Sequence, residues 1–291
     1  MVELLRRLRQ HGSLLRVVEQ PIDALDQMAW PVVDVLLAFS SDTEMLQACV
    51  QYCERVKPRL INSVATQLEQ LGDRATVTSV LRATSGVNVV ETIVVDHADP
   101  AVQARFVETE HAIELDGCVV RKPFVEKPCA ETDHSVRVYH ANRGCTQLFR
   151  KTKSAASTFD AACSAVRRDA VYLYQPFIDT DGIDIKAYTL GSAGVYAESR
   201  VSPTASSAVE RDASTGKQLR TRIDLRDDEV TMALNAAAAF GHKACGVDLL
   251  RDRVSGETYV CDVNGWAHLY ADEYFERIVQ MFLTEAQQHS P

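Results

Sequence analysis

The sequence predicts a mixed α/β (α+β) protein, and three stretches carry that prediction. Residues 32–62 alternate strand, helix and strand in the rhythm of a parallel βαβ unit. Residues 112–151 form short apolar runs broken by turn residues such as Asp116-Gly117, which predicts an antiparallel meander. Residues 246–265 hold two alternating runs around Ser255-Gly256, which predicts a β-hairpin. With 291 residues, the chain can bury a large core as one domain or as two or three lobes around a cleft.

Apolar periodicity predicts the elements in chain order. A period near 3.6 predicts helices, and a period of 2 or a short apolar run predicts strands. Helices are predicted at 3–10, 44–57, 66–71, 73–83, 227–240 and 272–287. Strands are predicted at 14–18, 32–39, 58–62, 87–95, 112–115, 118–121, 123–127, 135–140, 146–151, 171–177, 184–190, 194–199, 247–250 and 259–263. Small polar residues predict loops at 154–169 and 202–216.

An acidic connection over residues 96–110 is the expected lobe boundary. The sequence is therefore divided into an N-terminal α/β lobe at 1–100, an antiparallel central lobe at 101–183 and a C-terminal lobe at 184–291. The last of these contains the predicted hairpin.

Composition excludes several classes of protein. A net charge of −9 argues against general nucleic-acid binding. No window holds the roughly 18 apolar residues of a membrane span, and the amino-terminal segment lacks the apolar core of a secretory signal. The eight cysteines form no CxxC pair, which favours reduced thiols in a cytosolic or nuclear compartment, and a cytosolic (cytoplasmic) protein is expected. A monomer is the default expectation.

One segment departs from the acidic average. Residues 121–153 hold eight basic and three acidic side chains, a local charge of +5. A concentrated basic patch on an acidic protein predicts local binding of a compact polyanion. The alternative is a solvated strand face.

The hairpin at 246–265 carries the strongest candidate for chemistry. Each strand contributes one aspartate, Asp248 and Asp262, and Asn264 shares a face with Asp262. Carboxylate and amide oxygens suit Mg²⁺ held against phosphates better than they suit zinc. The alternative is that these are ordinary polar groups at a hairpin end.

Three further patterns are compatible with nucleotide binding. Lys127 lies in a strand between prolines, where its ammonium can be aimed at a phosphate, although a lone strand lysine is more often a surface residue. Asp184 and Lys186 share a strand face, which suits a ribose hydroxyl and a phosphate, or an exposed ion pair. Residues 174–178 (YQPFI) suit a hinge whose backbone pairs with an adenine edge, and core packing explains them equally well.

The arginines and lysines exceed what one nucleotide needs. Guanidinium groups bind phosphate in a bidentate manner, so several of them indicate a substrate with several phosphates. The surplus cations are Arg150, Lys151, Arg200, Arg211 and Arg220. No nucleophile elbow and no Walker-type glycine loop is visible, so side chains and strands are expected to hold the phosphates.

Taken together, the motifs resemble the kinase domain of the diphosphoinositol pentakisphosphate kinases, which are inositol pyrophosphate synthases with an ATP-grasp fold. The resemblance extends from about Trp30 to about Gly265. Its motifs are WPVVDVLLAF (30–39), PRLIN (58–62), RKPFVEKP (121–128), Asp133-His134, LFRK (148–151), TDGIDIKAYT (180–189), ESRVSP (198–203), VERD (209–212), CGVDLLR (245–251) and CDVNG (261–265).

The resemblance implies a role for each candidate residue. ATP phosphates would be bound by Lys127, Lys186 and His134, the ribose by Asp184, and the adenine by Gln175, Pro176, Phe177 and Ile178. Asp248, Asp262 and Asn264 would hold two Mg²⁺ ions. Substrate phosphates would be bound by Arg150, Lys151, Arg211 and Arg220, with Arg200 close by. Lys127, Lys186, Arg200, Asp248 and Asp262 form the implied catalytic set.

The implied reaction is transfer of the ATP γ-phosphate to inositol hexakisphosphate or its 5-diphosphate derivative, at position 1. Two alternatives stay open: a catalytically silent ATP or inositol-phosphate binding module, and an ATP-grasp carboxylate–amine ligase. The sequence departs from the family at the hinge pair Gln175-Pro176, at Tyr270, which stands near where a lysine is expected, and at Arg74, the single arginine where two are expected. The chain is also expected to begin at about the helix that follows the family's first strand.

Overall fold

The computed structural model describes residues 2–12, 16–19, 25–148, 157–204, 219–266 and 271–287. The helices are α1 (Val2–Arg9), α2 (Thr43–Val56), α3 (Val64–Glu69), α4 (Arg74–Arg82), α5 (Pro100–Gln103), α6 (Asp227–Ala239) and α7 (Asp272–Gln287). No helix in these ranges has the length and apolar character needed to cross a membrane.

The first unit contains the predicted parallel βαβ arrangement. Strands β1 (Val35–Leu36) and β2 (Arg59–Leu60) pair in parallel on either side of α2. Each strand has only two residues because pairing is limited to two positions, so the longer strands predicted at 32–39 and 58–62 are wrong in extent. The strand predicted at 14–18 is not formed over the described residues 16–18. Helix α2 begins where Asp42 accepts a hydrogen bond from the Met45 N–H at 2.9 Å.

Helices α3 and α4 follow as predicted and lead to β3 (Ile93–Asp96). Asp73 caps α4, because its carboxylate accepts from the Ala75 N–H at 2.8 Å. The strand predicted at 87–95 starts only at Ile93. The preceding residues instead cross to the last sheet, where Asn88 accepts from the Val260 N–H at 2.8 Å.

The central part of the chain is a six-stranded antiparallel sheet with the order β10-β9-β8-β7-β11-β3. Its strands after β3 are β7 (Phe124–Pro128), β8 (Arg137–Tyr139), β9 (Cys145–Leu148), β10 (Ser157–Asp160) and β11 (Val171–Pro176). A smaller sheet of β4 (Val107–Glu108), β5 (Ala112–Leu115) and β6 (Cys118–Arg121) shares one apolar core with it. The predicted meander is therefore confirmed, and β10 adds a strand inside the predicted loop at 154–169.

The last part is a five-stranded antiparallel sheet with the order β14-β13-β12-β15-β16. Its strands are β12 (Ile183–Thr189), β13 (Val195–Val201), β14 (Thr221–Arg222), β15 (Gly246–Arg251) and β16 (Thr258–Asn264). One face packs on α6 and α4 through a core that includes Ala187, Val247 and Val260. Tyr188 and Tyr196 pack instead with α7 and α1. The opposite face, near the middle of the strands, is polar.

Candidate active site

A row of charged side chains crosses four strands of the five-stranded sheet. Strand alternation puts Ile185 and Ala187 into the core and leaves Asp184 and Lys186 on the other face. The strand register then aligns Glu198 on β13 with Lys186 on β12, Lys186 with Asp248 on β15, and Asp248 with Asp262 on β16. We call these four residues the polar row.

A β-bulge in β16 brings Asp262 into the polar row. Leu249 pairs with Val260 and Asp248 pairs with Asp262, so Cys261 is an extra residue. Without the bulge, strict alternation would turn Asp262 toward the core side on which Val260 is buried. The bulge lets Val260 and Val263 both face the core while Asp262 opposes Asp248.

The donor set at this end of the row fits Mg²⁺. The Asn264 amide donates to the Asp248 carboxylate at 3.1 Å, and the Lys186 ammonium lies 3.1 Å from its other oxygen. Burial raises the pKa of Asp262, and the neighbouring Asp248 raises it further. Two close carboxylates and an amide oxygen favour a hard divalent cation, which relieves their repulsion. Among the described residues no group of three or more His, Cys, Asp or Glu side chains is placed to hold a metal, so the set depends on the asparagine.

Asp184 lies on the same face, one pleat away from Lys186. Burial raises the pKa of its carboxyl, and the guanidinium of Arg200 on β13, 3.4 Å away, opposes that effect. Sequence reasoning placed Asp184 and Lys186 on one strand face, and the structure agrees. It also shows that each is paired with an oppositely charged partner, Arg200 and Asp248.

Lys127 reaches the polar row from the six-stranded sheet. Its ammonium lies 3.9 Å from the sulfur of Cys261, the bulge residue. The strand that carries it is anchored by the fully buried Glu126, which accepts hydrogen bonds from the Arg167 side chain at 2.6 Å and from its backbone N–H at 3.0 Å. Burial raises the pKa of the Cys261 thiol to about 11, so a neutral thiol faces the ammonium. Cations from both sheets, Lys127 and Lys186, thus lie near the Asp248–Asp262 end of the polar row.

Arg74 is a residue that sequence reasoning left without a role. Its buried guanidinium donates to four carbonyl oxygens of the segment that joins β7 to β8. The acceptors are Pro128 and Ala130 at 2.7 Å, Glu131 at 3.0 Å and Asp133 at 3.1 Å. This segment lies between the phosphate-binding candidates Lys127 and His134. The signals in the sequence were the Asp73-Arg74 start of α4 and the family's arginines at this place, and neither shows what the guanidinium contacts.

Some polar groups of the predicted adenine hinge already form hydrogen bonds within the protein. The Gln175 amide is buried and donates to the Thr92 hydroxyl at 2.9 Å. The Phe177 N–H donates to the Pro123 carbonyl at 3.1 Å, and Pro176 has no N–H. Two of the four hinge residues therefore offer no backbone donor to a purine, and the side chains of Phe177 and Ile178 are half-buried.

The predicted acceptor site is described only in part. Arg150, Lys151 and Arg211 lie outside the described residues, as does Tyr270. Arg220 is described: its guanidinium donates to the Tyr188 hydroxyl and lies 3.5 Å from a Glu198 oxygen. His134 is half-buried in the segment before β8, and its carbonyl accepts from the Val136 N–H at 2.9 Å.

Comparison with known proteins gives a consistent result. Residues 136–279 match the RimK-like ATP-grasp domain family. The inositol hexakisphosphate and diphosphoinositol-pentakisphosphate kinase 2 of Xenopus laevis is 36% identical over 274 residues, covering 92% of this chain and 24% of that protein. The corresponding kinase of Saccharomyces cerevisiae is 34% identical over 293 residues, covering 92% of this chain and 25% of that protein. The chain thus spans about a quarter of the length of these relatives.

Solved structures agree on the fold. A RimK domain ATP-grasp protein from Sphaerobacter thermophilus superposes with a TM-score of 0.57 at 14% identity, covering 98% of this chain and 94% of that one. The ATP-grasp ligase PsnB, complexed with its minimal precursor, Mg and ADP, gives a TM-score of 0.51 at 14% identity, covering 84% of this chain and 68% of that one. The chain therefore has the ATP-grasp fold, and its sequence is similar to those of the inositol hexakisphosphate and diphosphoinositol-pentakisphosphate kinases.

Proposed function

We propose that the chain transfers the γ-phosphate of ATP to a phosphate of an inositol polyphosphate and so makes a diphosphate. The acceptor is inositol hexakisphosphate or its 5-diphosphate derivative, and the position is 1. The polar row is the observation that carries this proposal, because it sets Lys186, Asp248 and Asp262 side by side beneath Lys127. The named activity of the relatives supports the choice of acceptor.

ATP lies in the cleft between the central and C-terminal lobes, 101–183 and 184–291. Lys127 and Lys186 neutralise its phosphates, with His134 at the edge of the loop, and Asp184 accepts from the ribose hydroxyls. Asp248, Asp262 and Asn264 would hold Mg²⁺, two ions in this proposal, which would supply positive charge to offset the negative charge of the phosphates. Arg200 lies 3.4 Å from the Asp184 carboxylate and opposes the rise in its pKa that burial causes.

An acceptor phosphate needs little activation. A phosphate oxygen is already a nucleophile at neutral pH, so the reaction depends on in-line placement and on cations that offset the repulsion between two polyanions. The basic segment 121–153, with its charge of +5, provides such cations, and Arg150, Lys151, Arg211 and Arg220 are assigned to acceptor phosphates.

We propose a cytosolic, monomeric protein. All eight cysteines are free thiols, as expected for a reducing compartment. The net charge of −9 gives no support to nucleic-acid binding.

The experiment that tests the function is incubation with Mg-ATP and inositol hexakisphosphate, with products separated by charge on a polyacrylamide gel. We expect a more anionic product from the wild type. Asp262→Asn should reduce turnover by about 100-fold or more, because an anionic carboxylate ligand is replaced by a neutral amide that binds Mg²⁺ more weakly. The matched control Asp224→Asn changes an almost fully exposed aspartate and should keep wild-type turnover.

Two results would contradict the proposal. If the wild type binds ATP and inositol hexakisphosphate but forms no diphosphate, the chain is a silent binding module. Full activity of Asp262→Asn would remove the metal assignment and leave the kinase activity standing.

A further inference from the structure

Glu198 is the one member of the polar row that the proposed reaction leaves without a task. It lies on β13, its side chain is only 10% exposed, and its Oε2 atom is buried without a hydrogen-bond partner among the described residues. Burial raises the pKa of this carboxyl, and Arg220 opposes that effect. A buried carboxylate is costly unless a cation offsets it, so the surrounding cations define its role.

Three cations surround Glu198, and two of them have other partners. Lys186, its cross-strand neighbour on β12, lies 3.1 Å from Asp248. Arg222, its neighbour across β14, lies 3.2 Å from Asp224 and packs over the Tyr196 ring at 4.8 Å. The third cation is Arg220, whose Nη1 atom lies 3.5 Å from the Glu198 Oε2 atom.

Arg220 has a second anchor on the same strand face. The same Nη1 atom donates to the hydroxyl of Tyr188, a residue that is 1% exposed and packed beneath α7. Two contacts to one nitrogen fix one end of the planar guanidinium. The remaining donors, on Nε and Nη2, form a fork of the geometry that binds phosphate, and the side chain as a whole is 32% exposed.

We propose that Glu198 and Tyr188 are positioning residues that hold the Arg220 guanidinium in place for a phosphate of the acceptor. The inference deepens the proposed function and depends on it. Neither residue touches the substrate; both act through Arg220.

Glu198→Gln gives a test in which the sign of the effect is decisive. If Glu198 acted only as a negative charge near a polyanion, its removal would strengthen acceptor binding. If it positions Arg220, removal frees the guanidinium and weakens acceptor binding despite the gain in positive charge. We expect the Kd for inositol hexakisphosphate, measured by calorimetry without ATP, to rise about tenfold.

Tyr188→Phe tests the second anchor without changing charge. The loss of one hydrogen bond should raise the same Kd about fivefold. The matched control is Tyr196→Phe, which removes a hydroxyl from the tyrosine that pairs with Tyr188 across the strands and should leave the Kd unchanged. Acceptor KM should follow the Kd in each variant, whereas ATP KM should stay at the wild-type value.

The outcomes separate this inference from the proposed function. If the wild type neither binds inositol hexakisphosphate nor forms product, the proposed function fails first. Tighter or unchanged acceptor binding by Glu198→Gln in an active wild-type background overturns the positioning role. An equal rise in ATP KM would place the effect at Lys186 and overturn it as well. If Glu198→Gln does not fold, Tyr188→Phe and its control decide alone.

Discussion

At the scale of single residues, Arg74 shows how a side chain can serve a site without touching it. Four N–H···O=C bonds from one guanidinium fix the segment 128–133, and the Arg74 backbone N–H donates to the Cys129 carbonyl at 2.8 Å. This segment directly follows Lys127 and precedes His134, so its conformation positions both side chains at the proposed phosphate site. A flexible loop there would have to be ordered each time ATP binds, at a cost in conformational entropy.

We expect Arg74→Lys to impair ATP binding more than acceptor binding. A lysine has three donors on one nitrogen and cannot reach four carbonyls. Some of these buried carbonyl oxygens would therefore lose their hydrogen bonds, at a cost of about 1–3 kcal/mol each. ATP KM should rise about tenfold, and amide hydrogen exchange in the segment should accelerate. Arg105→Lys, at an exposed ion pair with Asp116, is the control. Unchanged exchange in the segment would show that Arg74 does not hold it.

Thiol chemistry tests the surroundings of Cys261. The pKa of this thiol is raised to about 11 by burial, and the nearby Lys127 opposes the shift only in part. At pH 8 only about one molecule in a thousand therefore carries the thiolate. Cys118 is the exposed thiol of the eight and should react first with a thiol reagent. Cys118→Ser should remove the fast phase; rapid labelling of Cys261, seen by mass spectrometry, would contradict the burial argument.

At the scale of elements, the start of α6 is tied to the five-stranded sheet by one carboxylate. Glu229 is fully buried, accepts from Arg251 at 2.7 and 2.9 Å and from the Thr258 hydroxyl at 2.7 Å, and also accepts from the Arg226 N–H at 2.9 Å. Burial alone would raise its pKa, but these hydrogen bonds outweigh burial and lower the pKa to about 2. The helix and the far end of the β15–β16 hairpin are thus joined.

This link gives stability a defined pH dependence. The folded pKa lies below the unfolded value of 4.5, so the stabilisation is complete above pH 4.5 and is lost as the pH falls from about 4.5 to about 2. Glu229→Gln should lower the free energy of unfolding by about 3 kcal/mol at pH 7 and flatten its pH dependence in that window. The exposed Glu91→Gln should do neither. Urea titrations at several pH values measure the free energy of unfolding and its pH dependence. An equal pH dependence for Glu229→Gln and wild type would contradict the assignment.

At the scale of the whole molecule, α1 connects the amino-terminal end of the chain to the carboxy-terminal helix. Leu4 and Leu8 are buried in the cluster that contains α7 and the Tyr188–Tyr196 pair. Arg7 pairs with Asp272 at the start of α7 and lies over the Phe275 ring at 5.1 Å. The apolar cluster that contains Tyr188, on which Arg220 rests, therefore includes residues from both ends of the described chain.

Leu4→Ala should destabilise the whole fold. Leu4 is 1% exposed, and removing its side chain leaves a cavity that costs about 3 kcal/mol. Val2→Ala, on the same helix but 83% exposed, should change the free energy of unfolding by less than about 0.5 kcal/mol. Urea denaturation provides the comparison. Equal stability of the two variants would show that α1 is not part of the cooperative fold.

The sequence was sufficient for features that depend on local patterns. The βαβ unit, the meander, the hairpin and the face shared by Asp184 and Lys186 all follow from periodicity and turn residues. The bulge at Cys261 does not, because one extra residue in a strand leaves no mark on composition. Nor do the crossing of Asn88 to Val260 or the contacts of Arg74, because both join residues far apart in the chain. Without the bulge, strict alternation would place the Asp262 side chain on the core face of the sheet, with Val260.

The register of the five-stranded sheet also sets a length scale. Adjacent strands lie about 4.8 Å apart, so three steps from β13 to β16 separate the two ends of the polar row by about 14 Å. That distance is fixed by backbone hydrogen bonds and not by the side chains. Side chains at the Glu198 end and at the Asp262 end can therefore be substituted independently, because neither set of side chains determines the distance between them.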